Sequence, residues 1–173
     1  TQPRDHLCTL KAASMESGLD NHRMWQDVPF NKELGVMELN AVDLNSYYAL
    51  DAWCLGRIAS ELGRDADARE LLDEFEEMKT CINDRLWDDE QQLYANRFWD
   101  GSFSKRTSPT SFLPLLSGVA TPGRAKALVE SWLLNEARYW STHVISTIPL
   151  DDPSVTESDS PLRAGIWPPM NYL

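Results

Sequence analysis

The apolar residues between positions 42 and 86 constrain the fold more than any other feature of this sequence. In residues 42–62 they recur every 3.6 residues, the period of a helix with one apolar face. The members of this face are Leu44, Tyr48, Leu55, Ile58 and Leu62. Gly63 follows, and glycine commonly ends a helix because it accepts a left-handed backbone. The pattern predicts a helix over 42–62 that packs through this face.

A second helix is predicted directly after the first. Asp65 can cap its start, and the apolar pattern continues to about Leu86. Its apolar stripe consists of Leu71, Leu72, Phe75, Met78, Ile82 and Leu86. Acidic side chains occupy the other faces, which is most simply a solvated surface. Because only Gly63 and Arg64 join the two helices, we expect them to pack as an antiparallel pair.

Longer polar stretches surround this pair. Residues 1–15 indicate the end of a helix or a loop, and residues 26–41 an irregular connection that borders a pocket. Asp100-Gly101 is a turn signal, so residues 88–103 are expected to form a small hairpin or an extended loop.

Proline marks three further helix starts. Ser108-Pro109 opens a short helix through Leu116, and Thr121-Pro122 opens one that continues to about Trp140. Residues 141–166 lose helical periodicity. Pro168-Pro169 can start a last helix, and the sequence ends one turn into it. We therefore expect residues 1–173 to be one incomplete domain, truncated at the C-terminal end and also at the N-terminal end.

Composition and charge narrow the possible partners. The 173 residues suffice for one domain, and 42% hydrophobic with 25% charged residues is typical of a soluble globular protein. The net charge of −11 would repel a phosphate backbone, so we do not expect nucleic acid as a partner. No apolar run is long enough to span a membrane, and no targeting signal is evident within these residues. The sequence indicates no oligomeric state.

The cysteines and histidines predict neither a metal site nor a cofactor. Three cysteines, Cys8, Cys54 and Cys81, lack metal-like spacing. Cys54 and Cys81 fall within helical patterns, and we interpret them as buried thiols rather than a disulfide. The three histidines are too scattered for a zinc site.

Reactive groups are most concentrated near the start of the chain, where the sequence places Glu16, Gly18, Asp20, Asn21 and Trp25. The glycine permits a sharp turn before Asp20. Carboxylates exchange protons and accept hydrogen bonds from hydroxyls, and an indole stacks on the apolar face of a sugar. The stretch is compatible with a sugar pocket, and equally with an exposed acidic loop that has one buried tryptophan.

Helix pairs that alternate with long polar loops stack either as a solenoid or as a closed ring. No repeat of fixed period is visible, which argues against a regular solenoid. We therefore predict an all-α chain, part of a toroid of helix hairpins with long rim loops and a pocket at its opening.

Four segments carry a family resemblance. They are Glu16-Ser17-Gly18-Leu19-Asp20-Asn21 with Trp25; Val42-Asp43-Leu44-Asn45-Ser46-Tyr47; Ser108-Pro109-Thr110-Ser111-Phe112-Leu113-Pro114-Leu115; and Ile148-Pro149 with Asp151-Asp152-Pro153, Arg163 and Ile166-Trp167-Pro168-Pro169-Met170-Asn171-Tyr172-Leu173. In this order they resemble the catalytic domain of glycoside hydrolase family 63, including the mannosylglycerate-hydrolase-like branch and the processing α-glucosidases. Trehalases are more distantly similar.

The resemblance implies an (α/α)6 barrel that hydrolyses α-glycosidic bonds with inversion, acting on a small oligosaccharide or glycoside. It makes Asp20 the general acid and puts the general base on a glutamate beyond Leu173, so the isolated chain is expected to be inactive. The substrate-binding residues it implies are Glu16, Asn21, Trp25, Arg163, Trp167 and Asn171. Glu16 and Asn21 would bind hydroxyls or orient the acid.

The sequence departs from the family after Asp20. The family usually continues Asp-Asn-Ser-Pro-Arg-aromatic, whereas here His22-Arg23-Met24 follows Asn21. Trp-Arg-Gly-Pro is likewise replaced by Leu162-Arg163-Ala164-Gly165. These changes and the missing base motivate a second hypothesis, a non-catalytic carbohydrate-binding or scaffold protein that keeps the helical ring. A third is another enzyme on such a ring, an epimerase or lyase, in which His22 would act.

Overall fold

Helices dominate the computed structural model. It describes residues 9–11, 19, 22–142, 144–153, 165–166 and 168–172. The helices are α1 (Val42–Glu61), α2 (Asp65–Leu86), α3 (Leu113–Leu116), α4 (Pro122–Leu128) and α5 (Pro168–Tyr172). Short 3-10 helices cover Arg23–Trp25 and Pro109–Phe112, and a π-helix over Val129–Leu133 extends α4. No helix in the described part of the chain is long and apolar enough to cross a membrane.

The chain is not purely helical, which corrects the all-α prediction. The strands are β1 (Thr9–Lys11), β2 (Phe30–Asn31), β3 (Val36–Asn40), β4 (Trp87–Asp88), β5 (Leu93–Tyr94), β6 (Arg97–Phe98), β7 (Trp140–Ser141) and β8 (Val144–Ile145). An antiparallel sheet forms around β3, which pairs with β1, β2 and β6. The expected irregular connection at 26–41 and the expected helix end or loop at 1–15 therefore contribute strands. The partner strands of β3 are too short to display an alternating pattern, and β3 itself does not alternate because it is buried on both faces.

The predicted antiparallel pairing of α1 with α2 is confirmed. The Tyr48 hydroxyl donates a hydrogen bond to Glu74, and Gly56 lies against Leu72. An earlier residue of α1 thus meets a later residue of α2. A Cβ atom at Gly56 would lie 2.9 Å from Leu72 Cγ, so the absence of a side chain there allows the helices to approach closely.

The predicted apolar stripe of α2 supplies much of the main core. Its residues from Phe75 onward are buried, whereas Leu71 and Leu72 are half-buried. They pack with side chains from the later elements, including Tyr94, Leu128 and Tyr139. One detail differs: Arg64 occupies the N-cap position, and Asp65 is the first residue of the helix.

The predicted apolar face of α1 is not the face that packs. Tyr48, Leu55, Ile58 and Leu62 are between 41% and 68% exposed. The buried face carries small residues instead, chiefly Ala49, Ala52, Gly56 and Ala59. Small side chains let the bulky stripe of α2 fill the interface, so periodicity identified the helix but selected the wrong face.

The middle of the chain follows the prediction. β4 and β5 form the expected hairpin, and Gly101 adopts a positive φ of 92° in the turn before Phe103 pairs with Arg97.

Two later expectations are corrected. The helix predicted to reach Trp140 ends at Leu133, where turns lead into the β7–β8 hairpin. Cys54 and Cys81 form no disulfide, as predicted, but they are half-buried rather than buried, and Cys81 packs against the main core.

Candidate active site

The described parts of the four motif segments meet at the N-terminal end of α1. His22, which lies between Asn21 and Trp25 of the first segment, contacts the carbonyl of Thr147, the residue before the fourth segment, at 2.8 Å. Thr110 of the third segment has its hydroxyl 4.0 Å from Met24 Sδ. Leu44 of the second and Met170 of the fourth pack against a cluster that contains Leu19 and Trp25. The fold thus gathers residues separated by more than a hundred positions into one neighbourhood.

The backbone on either side of Asp20-Asn21 is held by hydrogen bonds to one carbonyl. The Leu19 oxygen accepts from the His22 amide at 3.1 Å and from Trp25 Nε1 at 3.0 Å. The two residues that flank Asp20-Asn21 are therefore fixed to each other and to a buried indole.

Most of the predicted site residues lie outside the described residues, namely Glu16, Asp20, Asn21, Arg163 and Trp167. Their predicted roles stay predictions. Two predicted substrate-binding residues, Trp25 and Asn171, are described. In the part of the chain that the structure describes, no group of three His, Cys, Asp or Glu side chains could hold a metal ion.

Trp25 and Asn171 both make structural contacts. Trp25 is 8% exposed and packs with Met24, Met37 and Leu39 in the core cluster. Asn171 pairs with the backbone of Ile145: its Oδ1 accepts from the Ile145 amide at 2.8 Å, and its Nδ2 donates to the carbonyl at 3.0 Å. This pairing fastens α5 to β8. A sugar contact by either residue stays a prediction.

His22 is a buried, neutral histidine. Its Nδ1 accepts from the Met24 amide at 3.1 Å, which leaves Nε2 to carry the proton and donate to the Thr147 carbonyl. Burial lowers the pKa of His22, outweighing the hydrogen bond to Thr147 that favours the charged form. Since both ring nitrogens are bonded to backbone groups, His22 connects two segments and is unsuited to the acid–base role of the third hypothesis.

Met24 occupies the position where the family's motif has an arginine, and it is 1% exposed. A methionine fits this apolar site among Leu19, Trp25 and Leu39 without leaving a charge buried. The core therefore accommodates methionine at the position where the family's motif has arginine.

Asp43 is a candidate that the sequence reasoning missed. It lies in the first turn of α1 and is 5% exposed, and its Oδ1 accepts from the Leu44 amide at 2.8 Å. Burial raises the pKa of the Asp43 carboxyl to about 6, although backbone hydrogen bonds oppose this. Tyr47, one turn further on, is 42% exposed, and burial together with the charge of Asp43 raises its pKa. The available signal in the sequence was the position of Asp43, an acid one residue inside the predicted helix.

Other polar groups at this end of α1 are buried. Asn45 lies inside the first turn of α1, and its side-chain amide donates to the Ala41 carbonyl at 2.6 Å. Asn96 accepts from the Val42 amide at 2.9 Å. Ser46 is 1% exposed, and its hydroxyl has no hydrogen-bond partner within the described ranges.

The helical architecture is similar to that of several solved glycoside hydrolases. A mannosylglycerate hydrolase of family GH63 from Thermus thermophilus, solved in complex with glucose, superposes with a TM-score of 0.64 at 22% identity over 78% of this chain and 31% of that one. Neutral trehalase Nth1 from Saccharomyces cerevisiae gives 0.62 at 19% identity over 76% and 24%. The fold is thus that of the GH63 and trehalase class of six-hairpin glycosidases.

The family follows from the sequence. Residues 10–173 match the model of the mannosylglycerate hydrolase MGH1-like glycoside hydrolase domain, and the chain belongs to this family. An uncharacterized protein of Borreliella burgdorferi is 19% identical over 171 residues, which is 90% of this chain and 36% of the relative. The chain therefore spans about a third of the length of that relative.

Proposed function

We propose that this chain is part of the catalytic domain of an inverting α-glycoside hydrolase in which Asp20 is the general acid. The observation that carries the proposal is the meeting of the four motif segments at the N-terminal end of α1. Within that meeting point, one carbonyl, that of Leu19, binds the residue after Asp20-Asn21 and the indole of Trp25. Such a backbone is suited to holding a proton donor in a fixed position.

Inverting hydrolysis needs two carboxyl groups with different protonation. One acid protonates the departing oxygen, and a base activates water on the opposite face of the sugar, with the two groups roughly 6.5–9.5 Å apart. The acid must keep its proton near neutral pH, which burial or a neighbouring negative charge achieves. In this proposal Asp20 is the acid, Glu16 is the neighbouring charge, and the base is a glutamate that follows Leu173.

The remaining predicted residues divide into two groups. Glu16 and Asn21 would bind sugar hydroxyls, Trp167 would form a wall of the site, and Arg163 would bind a hydroxyl or a carboxylate. Trp25 would form a second wall with its ring face and Asn171 would contact the substrate, while Trp25 Nε1 and the Asn171 amide also bond to the backbone of Leu19 and Ile145.

We also propose that residues 1–173 form an incomplete portion of an (α/α)6 barrel. The exposed apolar face of α1 supports this domain assignment, because a helix that is apolar on both sides is normally covered on both sides. Tyr48, Leu55, Ile58 and Leu62 would then pack against further helix hairpins of the same domain. Catalysis would require the longer polypeptide that supplies those hairpins and the base.

The family and the ligands of a similar hydrolase support a proposal for the substrate class. The Thermus hydrolase binds glucose, and in a further structure D-glycerate. We infer a small α-glycoside as substrate here, with mannosylglycerate, trehalose and short α-glucosides as the compounds to test first.

The test is hydrolysis of these compounds by the longer polypeptide, with the anomer of the released sugar followed by proton NMR. We expect the β-anomer to appear first from an α-glycoside. Retention, or no hydrolysis of any α-glycoside, would contradict the proposal. Sugar binding without turnover would favour the non-catalytic carbohydrate-binding protein.

A further inference from the structure

We propose that Asp43 and Tyr47 form a wall of the sugar site along α1, with the Asp43 carboxyl accepting a hydrogen bond from a substrate hydroxyl and the Tyr47 ring stacking on the sugar. The inference rests on the proposed function and assigns two residues to the same site. Neither was given a substrate role by the resemblance, although both lie in the second motif segment.

The geometry of α1 puts these two side chains on one face. Residues four apart on a helix are neighbours, so Tyr47 lies one turn above Asp43. Leu44, between them in sequence, packs against the cluster of Leu19 and Trp25 that holds the backbone around Asp20. The Asp43–Tyr47 face therefore begins at the point where the four motif segments meet.

The two residues have the complementary surfaces that sugars require. A carboxylate forms charge-assisted hydrogen bonds, roughly twice as strong as neutral ones, with hydroxyl donors. An aromatic ring covers the apolar face of a pyranose. Tyr47 is 42% exposed, so its ring is available to a ligand, whereas Asp43 lies beneath it at 5%.

Asp43 is poorly explained as a structural residue. No lysine or arginine in the described part of the chain forms an ion pair with it, and its Oδ1 accepts a hydrogen bond from the next amide, that of Leu44. The hydroxyl of Ser46, three residues on, is also buried and lacks a partner within the same ranges. Buried ionisable groups with raised pKa values are common in functional sites, and burial has that effect on the pKa of Asp43.

The test compares variants of the longer polypeptide by turnover of a chromogenic α-glucoside and by calorimetric binding of glucose. We expect Asp43→Asn to lower kcat/KM about 30-fold or more, and Tyr47→Ala to weaken glucose binding about tenfold with a smaller effect on kcat. Tyr47→Phe should bind glucose normally, because the ring is retained. Asp51→Asn, which changes an exposed acid on the same helix, is the matched control and should retain wild-type affinity.

A structural role for Asp43 makes the opposite prediction on stability. If the carboxyl served only the fold, Asp43→Asn would lower the melting temperature and leave kcat/KM within about twofold of wild type, and this result would overturn the inference. We expect activity to fall while the melting temperature is unchanged or higher. If Asp43→Asn does not fold, the half-exposed Tyr47 variants decide the question.

Failure here is distinguishable from failure of the proposed function. Normal hydrolysis by wild type with normal glucose affinity in both Asp43→Asn and Tyr47→Ala overturns this inference alone. A wild type that binds glucose without hydrolysing any α-glycoside contradicts the proposed reaction, and glucose affinities of the variants then test the wall. A wild type that neither binds glucose nor hydrolyses α-glycosides overturns both.

Discussion

α1 and α2 are neighbouring helices of similar length, yet the large apolar side chains of α2 are buried in the core whereas those of α1 are exposed. In α2 these side chains, such as Ile82 at 0% exposure, fill the main core. In α1 the corresponding residues, such as Ile58 at 54%, are exposed, and alanine and Gly56 form the contact. α1 also buries a carboxylate, that of Asp43, whereas the buried face of α2 carries no charge.

The comparison shows that the two helices need different surroundings. α2 is amphipathic, with an acidic surface opposite its apolar stripe, so one packing partner satisfies it. α1 is apolar on two sides, which is the pattern of a helix that packs between two layers. The three stability predictions below test this difference, from the largest expected effect to the smallest.

The largest effects come from truncating the large apolar residues of each helix. Ile82→Ala should destabilise the longer polypeptide by about 2–5 kcal/mol, because it leaves a cavity in the core. Ile58→Ala should cost a similar amount if further hairpins cover the exposed face of α1. Urea denaturation measures both changes. A cost below about 0.5 kcal/mol for Ile58→Ala is the value of an ordinary surface site, and it would contradict the domain proposal.

The buried carboxylate of α1 should make stability depend on pH. The pKa of Asp43 is about 6 in the folded chain against an ordinary 3.8, so the folded state holds the proton more tightly. The stability this contributes is complete below pH 3.8 and is lost as the pH rises through 6. Asp43→Asn removes the loss, and its unfolding free energy should exceed that of wild type by about 2–3 kcal/mol at pH 7 and by only about 0.5 kcal/mol at pH 4.

Denaturation at both pH values checks this prediction, with Asp51→Asn as the exposed control on α1. An equal difference from wild type at pH 4 and pH 7 would mean that Asp43 does not titrate differently on folding.

The smallest effect concerns the contact between the helices. Replacing glycine with alanine in a helix interior normally stabilises by about 1 kcal/mol. At Gly56 the new Cβ would lie 2.9 Å from Leu72, and such overpacking costs about 1–3 kcal/mol. Gly56→Ala should therefore destabilise by about 1 kcal/mol, but stabilise in a Leu72→Ala background. A double-mutant cycle measures this coupling, and additive changes would show that the contact is not tight.

Much of the fold could be predicted from sequence because helix signals are local. The bounds of α1 and α2, their antiparallel pairing and the hairpin turn at Gly101 all follow from periodicity and turn residues. The packing face of α1 could not, since alanine and glycine produce no apolar period of their own. The short strands around β3 were also missed, because strands of two to five residues are defined by their partners rather than by their own pattern.

The candidate site also has features that the sequence could predict and features that it could not. Residue types and the four motif segments pointed to Asp20, but sequence alone could not bring the segments together at one end of α1. Asp43 was missed because burial of a carboxylate is a tertiary property, and Asp43 looks in sequence like an ordinary acid in the first turn of a helix.

The central claim, that Asp20 donates a proton to the leaving group, is tested most directly with two α-glucosyl substrates that differ in their need for that proton. The longer polypeptide and its Asp20→Asn variant are compared on an alkyl α-glucoside, whose leaving group must be protonated, and on α-glucosyl fluoride, whose leaving group departs readily without it. General acid catalysis is worth about 10²–10⁴-fold, so we expect Asp20→Asn to lose that much on the alkyl glucoside and less than about tenfold on the fluoride. Equal losses on the two substrates, or near-normal turnover of both, would contradict the assignment.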